Sequence, residues 1–193
     1  GLLNPAGPEQ ERRGDDAVAH PHVALSADRV PPDRRHRRVR FQPLAVFADC
    51  ARIEKAFRHF GHDITDEDHV LEAGLGFAVK TDKGDFIGRD AVLSKREAGL
   101  DRRMLQFKLT DPEPLLFHNE PILRDGKIVG YLSSGAYGHH LGGAIGLGYV
   151  PCAGESAAEV KASRYEIDVA GQRVPAEVSL RPMYDPGNDR MRA

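Results

Sequence analysis

The stretch Pro121-Ile-Leu-Arg-Asp-Gly-Lys-Ile-Val-Gly-Tyr-Leu132 predicts a β-hairpin. Its two apolar segments flank Asp125-Gly126, and a two-residue type I′ turn needs positive φ at both central positions, which this pair tolerates. A second hairpin is predicted from Tyr165–Val169 and Val174–Leu180, joined across Ala170-Gly171. The second half of the chain is therefore expected to consist of antiparallel strands.

Two further strands complete this β-rich region. Residues 104–109 alternate along a strand, and residues 144–150 form a strand spaced by glycines. The glycine run 142–148 superficially resembles a phosphate-binding loop, but no helix follows it. We therefore interpret these glycines as sites of close backbone approach. Five or six short antiparallel strands favour a small closed barrel or a sandwich.

An amphipathic helix is predicted ahead of the strands, over residues 44–60. Its apolar residues recur at alternating four- and three-residue steps, the spacing of one buried stripe. They are Val46, Cys50, Ile53, Phe57 and Phe60. Gly61 can adopt the positive φ that often ends a helix. We expect a strand near 75–80 and then a helix over about 90–98, ended by Gly99. The predicted fold class is α+β, a helix-containing segment followed by a small antiparallel β-barrel.

Composition gives little support to nucleic-acid or membrane partners. The 193 residues are 40% apolar and 29% charged, with a formal net charge of −2. Such a balance lacks the basic excess that binds nucleic acid or anionic lipid, and the sequence has no apolar run of membrane-spanning length. Cys50 and Cys152 lie far apart, which favours buried thiols in a reducing compartment and a cytoplasmic protein. A disulfide between them remains the alternative.

The first 43 residues differ from the rest. Arginine, proline, aspartate and histidine dominate there, and the tract Pro31-Pro-Asp-Arg-Arg-His-Arg-Arg-Val-Arg40 has no regular apolar period. Like charges and prolines predict a disordered or atypical segment. A basic arm that touches nucleic acid is one alternative, and a frameshifted translation of a normal domain is another. Because the chain opens with Gly1, we expect a processed protein or a piece of a longer one.

Arg52 and Phe77 are candidate binding residues. Arg52 precedes the glycine that is expected to end the helix, and Phe77 lies in the apolar segment that follows. A guanidinium beside an aromatic ring suits a flat ligand with a carboxylate, which pairs with the arginine while the ligand stacks on the ring. The alternative is an ion pair of Arg52 with Glu54 or Glu72.

The turn after the predicted helix also carries titratable groups. His59 and His62 with Asp63 could form a proton-transfer pair, although a hydrogen-bonded turn is the favoured interpretation. No spacing matches a metal site or a nucleophile motif, so the sequence assigns no catalytic or metal-binding residue.

Residues 52–192 resemble the C-terminal part of dimethylglycine and sarcosine dehydrogenases. More broadly, they are similar to the aminomethyltransferase, or T-protein, of the glycine cleavage system. Blocks in the same order carry the resemblance: Arg52-Ile-Glu-Lys-Ala-Phe-Arg-His-Phe-Gly-His-Asp63, Leu71-Glu-Ala-Gly-Leu75, Phe86-Ile-Gly-Arg89, Gly126-Lys-Ile-Val-Gly130, Ser134-Gly-Ala-Tyr137, Gly146-Leu-Gly-Tyr-Val150 and Asp185-Pro-Gly-Asn-Asp-Arg190.

The resemblance implies a module that binds tetrahydrofolate. In such enzymes a flavin domain oxidises a methylated amine to an imine, and folate captures the one-carbon unit as methylenetetrahydrofolate. By resemblance, Arg52 matches the arginine of an R-(L/I)-E motif, Phe77 an aromatic position and Arg103 a nearby ligand-side arginine. These three residues are the expected folate contacts, with the small imine and a flavoprotein domain or subunit as further partners.

The resemblance also implies domain boundaries and an incomplete enzyme. Residues 44–102 would be part of the folate-binding domain, 103–182 the C-terminal barrel and 183–193 a tail. The catalytic aspartate and the flavin motif of the family find no match, so FAD would belong to a separate or missing domain. We expect a truncated chain that is inactive alone, and its status as an enzyme stays open. The alternative function is a non-catalytic barrel that packs against a partner subunit.

Overall fold

A computed structural model describes residues 48–192. The predicted atypical segment 1–43, and the first residues of the predicted helix, lie outside the described residues. No helix among residues 48–192 is both long and apolar enough to cross a membrane.

Six antiparallel strands close into a barrel in the order β1-β4-β3-β2-β5-β6. The strands are β1 (Arg102–Leu109), β2 (Pro121–Arg124), β3 (Lys127–Gly138), β4 (Gly143–Pro151), β5 (Tyr165–Val169) and β6 (Gln172–Ser179). Closure pairs β1 with both β4 and β6, so within the barrel no strand is left with an unpaired edge. The predicted α+β class with a small barrel is confirmed, and the sandwich alternative is not adopted.

Both predicted hairpin turns have the expected backbone conformation. Asp125 and Gly126 have φ values of 52° and 82°, and Ala170 and Gly171 have values of 52° and 90°. Positive φ at both central residues is the signature of a type I′ turn, whose twist matches that of the paired strands. The turns therefore fix the register of β2 against β3 and of β5 against β6.

Glycines of β4 let the strands approach closely. A Cβ at Gly146 would lie 2.8 Å from Leu132 Cδ1, and a Cβ at Gly148 would lie 2.6 Å from Ile122 Cδ1. Each glycine thus gives room to an apolar side chain of a neighbouring strand, as expected for a tightly curved barrel.

The barrel interior is apolar, and β1 shows how both of its faces become buried. Leu105, Phe107 and Leu109 are almost fully buried in the barrel core. Met104 lies on the other face, where it packs with Ile53 of the preceding helix. The helix therefore covers part of the outer surface of the barrel, and β1 is buried on both sides.

The preceding helix, α1, covers residues 48–54 of the described chain and ends earlier than predicted. Ala56, with φ of 51°, takes the left-handed position expected of Gly61. The amide of Ala56 donates to Ile53 O, and the amide of Phe57 donates to Arg52 O. These two bonds form a Schellman motif, which satisfies the last carbonyls of a helix.

Early termination changes which residues are buried. Cys50 and Ile53 lie in the core as the apolar stripe predicts, at 3% and 1% exposure. Phe57 and Phe60 follow the helix end and are 49% and 69% exposed. The prediction that the buried stripe continues beyond residue 54 is therefore wrong, because the helix ends there and its periodicity ends with it.

The segment between α1 and the barrel is mostly turns. The strand predicted near 75–80 is wrong, because a short 3₁₀ helix covers Gly76–Ala78 there. Helix α2 (Arg89–Ala98) is confirmed, and Gly99 at its C-cap has φ of 90°. Helices α3 (Ala157–Ala162) and α4 (Asp189–Arg192) complete the described elements.

Candidate functional site

The Arg52 guanidinium joins α1 to the loop after it and to the barrel. Its Nη1 donates to Phe57 O at 2.9 Å and to Asp63 Oδ2 at 2.7 Å. Its Nη2 donates to Ser134 Oγ of β3 at 3.1 Å, and its Nε donates to Asp49 Oδ1 at 3.2 Å. Every nitrogen of the group is therefore engaged within the chain, so Arg52 has little capacity left for a ligand.

Asp63 is the buried partner of Arg52. Its carboxylate also accepts bonds from Ser133 Oγ at 2.6 Å and from the His59 amide at 2.8 Å. Burial acts to raise the pKa of Asp63, but these hydrogen bonds and the charge of Arg52 lower it below the ordinary value. Asp63 is therefore an anion at neutral pH whose hydrogen bonds hold the turn, the role that the sequence favoured over proton transfer.

A cavity of about 290 Å³, here called the Arg52 cavity, opens beside this network. The rings of His59 and His62 stack there with centroids 5.9 Å apart, and the ring of His118 meets His62 edge-on at 6.0 Å. His62 Nδ1 lies 3.4 Å from Ser134 Oγ. Sequence reasoning missed His118, because its loop is distant in sequence from the other two histidines.

Phe77 belongs to a different cavity, here called the Phe77 cavity, of about 610 Å³. Phe77 is 82% exposed at its wall, and Phe57 and Arg58 line the same space. Arg52 is not among the residues of this lining. Arg52 and Phe77, expected side by side in a single cleft, therefore line different cavities.

Arg58 is one of three cationic residues that line the Phe77 cavity, together with Lys55 and Arg181. Its Nη1 donates to Ala56 O at 2.6 Å, whereas its buried Nε has no partner. No carboxylate of residues 48–192 lies within ion-pair distance of this guanidinium. Burial lowers the pKa of Arg58, partly offset by Tyr149 and Asp63, so its positive charge is poorly compensated.

The position of Arg58 depends on a neighbouring glycine. A Cβ at Gly74 would lie 2.7 Å from Arg58 Nη2, and the φ of Gly74 is +70°. Any other residue would push the guanidinium away from its place. Sequence reasoning passed over Arg58 because it assigned residue 58 to a continuing helix, where an exposed arginine carries no signal.

Glu54, the last residue of α1, and Lys55, which follows it, lie outside the apolar stripe of the predicted helix, yet both are buried. Glu54 is 2% exposed and accepts from the amide of His140 at 2.6 Å, with His140 Nδ1 at 2.7 Å. Lys55 is 8% exposed and pairs with Asp185 Oδ2 at 2.9 Å. These contacts fasten α1 to the β3–β4 turn and to the C-terminal segment.

Arg103, the third expected folate contact, lines a third cavity of about 510 Å³. Leu100 and Arg96 of the α2 end lie in the same lining. The three residues that the resemblance pointed to are thus distributed over three cavities. Within residues 48–192, no group of three or more histidine, cysteine, aspartate or glutamate side chains is arranged to hold a metal ion.

The barrel has known relatives. The family described as glycine cleavage T-protein C-terminal barrel domain matches residues 102–185. This barrel belongs to that family. The matched region contains all six strands and the loops between them, so the resemblance seen in the sequence is confirmed for the barrel.

Curated relatives extend the match ahead of the barrel. The chain is 41% identical over 145 residues to a 4-methylaminobutanoate oxidase (formaldehyde-forming) of Paenarthrobacter nicotinovorans, covering 75% of this chain and 17% of that protein. It is 38% identical to an aminomethyltransferase of Nostoc sp., covering 72% and 36%. It is 34% identical to the mitochondrial sarcosine dehydrogenase of Homo sapiens, covering 75% and 16%. The chain thus spans about one sixth to one third of these relatives.

A solved structure shows the same fold. The glycine cleavage system aminomethyltransferase T of Bartonella henselae superposes with a TM-score of 0.61 at 24% identity, over 72% of this chain and 38% of that one. At this identity the likeness establishes the fold alone, and the ligand has to be argued from the cavities.

Proposed function

We propose that this chain supplies a tetrahydrofolate-binding surface and that the Phe77 cavity is its site. One observation carries the proposal: the half-buried guanidinium of Arg58, which has no ion-pair partner among residues 48–192, lies in a cavity lined by Phe57 and Phe77. Folate combines a flat aromatic body with carboxylates, and this arrangement offers one contact for each. The barrel family and the aminomethyltransferase relatives support the same ligand.

The cavity has a suitable size for such a ligand. Pockets for small molecules usually enclose about 300–1,000 Å³ and are lined mainly by apolar groups with a few polar ones. The Phe77 cavity, at about 610 Å³, lies within this range. Its wall also includes Leu75, Leu180 and Pro182, which favour an apolar ligand body.

Each residue has a distinct role in this proposal. Arg58 would pair with a ligand carboxylate, since a guanidinium forms two parallel hydrogen bonds with such a group. Phe57 and Phe77 would hold the flat rings by stacking. Arg52 does not touch the ligand; through its bonds to Phe57 O and Asp63 it fixes the loop that carries Phe57 and Arg58. In this proposal Arg58 binds the folate carboxylate, and Arg52 and Arg103, which the resemblance gave as folate contacts, do not.

The reaction of the whole protein is part of the proposal. Tetrahydrofolate supplies nitrogen atoms that capture a one-carbon unit from an imine derived from a methylated amine. The cavity contributes orientation, since holding two reactants in place removes much of the entropic barrier. We assign no catalytic residue within 48–192 and propose FAD on a separate flavoprotein domain or subunit. Alone, this chain would bind folate weakly and catalyse no turnover.

A reducing location fits this proposal. Cys50 and Cys152 are both buried and unpaired, which supports a protein that works in the cytoplasm or in another reducing compartment.

Calorimetric titration with tetrahydrofolate tests the site. We expect weak saturable binding to the wild-type chain and a loss of at least about tenfold in Arg58→Gln, since a charged hydrogen-bonded pair contributes roughly 1.5–3 kcal/mol. Arg164→Gln is the matched control: it removes a 73% exposed arginine side chain on the barrel and should leave affinity unchanged. Equal affinities of wild type and Arg58→Gln, with both folded, would refute the assignment of Arg58. Absence of any saturable binding would refute the folate proposal itself.

A second candidate function is a non-catalytic module that packs against a partner. The observation that favours it is a set of exposed aromatic residues on the segments outside the strands, Phe57, Phe60, Phe77 and Phe117, with exposures between 49% and 82%. Apolar surface of this kind often marks a protein interface. A Phe60→Ser variant separates the two functions, since residue 60 is not part of the Phe77 cavity lining. Loss of a partner complex with unchanged folate affinity would favour the interaction module.

A further inference from the structure

The third cavity lies where α2 ends, β1 begins and the chain leaves β4 for α3. It encloses about 510 Å³, and its lining includes Leu71, Arg96, Leu100, Arg103 and Glu155. It shares no lining residue with the Phe77 cavity. Its character is set by two arginines, one at the end of α2 and one in β1.

Arg103 has hydrogen-bonding capacity that the described chain does not use. Its Nε is buried and has no hydrogen-bond partner among residues 48–192. No carboxylate of residues 48–192 lies within ion-pair distance of Arg103 or Arg96. Leaving a buried polar group without a partner costs about 1–3 kcal/mol, so such a group calls for an explanation.

The acids near this cavity are already paired with other cations. Glu155 forms a bidentate ion pair with Arg124, in which both nitrogen–oxygen distances are 2.7 Å. Glu72 pairs with Lys95 at 2.9 Å and with Arg102 at 3.2 Å. The local surplus of positive charge therefore belongs to Arg96 and Arg103.

Other groups around the cavity do not compete for an anion. The α3 start is closed by a capping box, in which Ser156 Oγ accepts from the Glu159 amide and Glu159 returns a bond to the Ser156 amide. Cys152 lies behind Arg103, buried, and its Sγ donates to Leu100 O. Burial raises the pKa of this thiol, and the positive charge of Arg103 opposes that shift, so Cys152 stays neutral.

We propose that Arg103 and Arg96 bind an oxyanion carried on an organic molecule, either a carboxylate or a phosphate, in a site separate from the Phe77 cavity. Guanidinium groups match both anions with parallel hydrogen bonds. A bare ion would leave most of the 510 Å³ empty, so the remainder of the ligand would lie against Leu71 and Leu100. This inference does not depend on the proposed folate function.

Nuclear magnetic resonance of the arginine side chains tests this site directly. The wild-type chain is titrated with glycerol 2-phosphate and, separately, with succinate, against sodium chloride at matched ionic strength. We expect a saturable shift of the Arg103 Nε–Hε signal with at least one of the two organic anions, and the anion that binds more tightly identifies the ligand class. A shift that is linear, or that chloride reproduces, would overturn the proposal.

Variants make the test independent of general charge. Arg103→Gln should weaken binding at least about tenfold, and Arg96→Gln, on an exposed helix surface, should weaken it less. If Arg103→Gln fails to fold, the Arg96→Gln result decides. Arg173→Gln, which removes an exposed arginine of β6, is the control and should have no effect. Unchanged anion affinity in a folded Arg103→Gln would refute the site. Weakened tetrahydrofolate binding in the same variant would return Arg103 to the folate site and refute the separation of the two cavities.

Discussion

The barrel and the segment ahead of it are held together by different forces. In the barrel, backbone pairing closes the sheet around an apolar core that includes Leu105 and Phe107. In residues 48–98, polar side chains determine the arrangement: Arg52 holds Asp63, and Lys55 holds Asp185. Burial of apolar surface is tolerant of detail, whereas a buried ion pair needs correct geometry to offset its desolvation. We therefore expect the barrel to set global stability and the preceding segment to respond locally.

The largest effect should come from the barrel core. Phe107→Ala removes a fully buried ring that meets Tyr165 edge-on, with ring centroids 5.8 Å apart. We expect the free energy of unfolding to fall by about 3–5 kcal/mol, the usual cost of such a truncation. Chemical denaturation monitored by circular dichroism measures it. Ile128→Ala, at 59% exposure, is the control and should change stability by less than about 0.5 kcal/mol. A small loss in Phe107→Ala would show that the barrel is not the stability core.

An intermediate effect should come from the ion pair at the turn. Asp63→Asn leaves Arg52 without its buried partner, and we expect a loss of about 3 kcal/mol at neutral pH. Native-state hydrogen exchange should show faster exchange for amides of residues 57–64, while strand amides exchange at the rate set by global unfolding. If Asp63→Asn and wild type exchange alike in this loop, the polar network does not organise it.

The same variant predicts a pH dependence with a definite sign. The folded pKa of Asp63 lies below its ordinary value, so the carboxylate stabilises the protein above about pH 3.9 and loses this effect as pH falls through the folded pKa. Wild type should therefore lose stability on acidification below about pH 4 more steeply than Asp63→Asn. Identical slopes would show that Asp63 is not a stabilising anion.

The smallest effect should come from the glycine beside Arg58. Gly74→Ala strains a backbone with φ of +70° and adds a Cβ that would lie 2.7 Å from Arg58 Nη2, so the guanidinium has to move. We expect about 1–2 kcal/mol of lost stability from the strained φ, together with weaker folate binding. Gly142→Ala adds a Cβ at a nearly equal φ of +67°, with no atom of the described residues within 4 Å, so it isolates the backbone cost. If the two variants bind folate equally well, Arg58 does not need its present position.

Sequence reasoning succeeded where local rules and tertiary packing agree. The two hairpins were predicted from apolar segments that flank turn residues, and Asp125-Gly126 suits the positive φ of a type I′ turn. In the second turn Gly171 suits it, whereas Ala170 takes a positive φ against its usual preference. Helix α2 and its glycine stop followed from the same kind of local preference. The closed barrel was one of two expected outcomes, and the pairing of β1 with β6 is what closed it.

It failed where a residue took a role outside its usual preference. Ala56 ends α1 in a left-handed conformation that alanine rarely adopts, so periodicity carried the predicted helix past its real end. Once the chain turned there, Phe57 and Arg58 faced a cavity, and Arg52 became a structural anchor. A sequence pattern does not reveal this change, because buried contacts of Glu54 and Lys55 with distant loops stabilise the turn.

The strands and their turns were largely predictable before the fold was known, because they depend on alternation and on backbone preferences that act over a few residues. The family of the barrel came from its resemblance to known sequences. Which arginines stay free for ligands depends on the folded arrangement. Arg52 bonds to Asp63 and Ser134, whereas the buried Nε atoms of Arg58 and Arg103 have no hydrogen-bond partner among residues 48–192. Whether a cation is neutralised depends on groups that are distant in sequence and that folding brings close to it. A local sequence pattern does not show which groups these are.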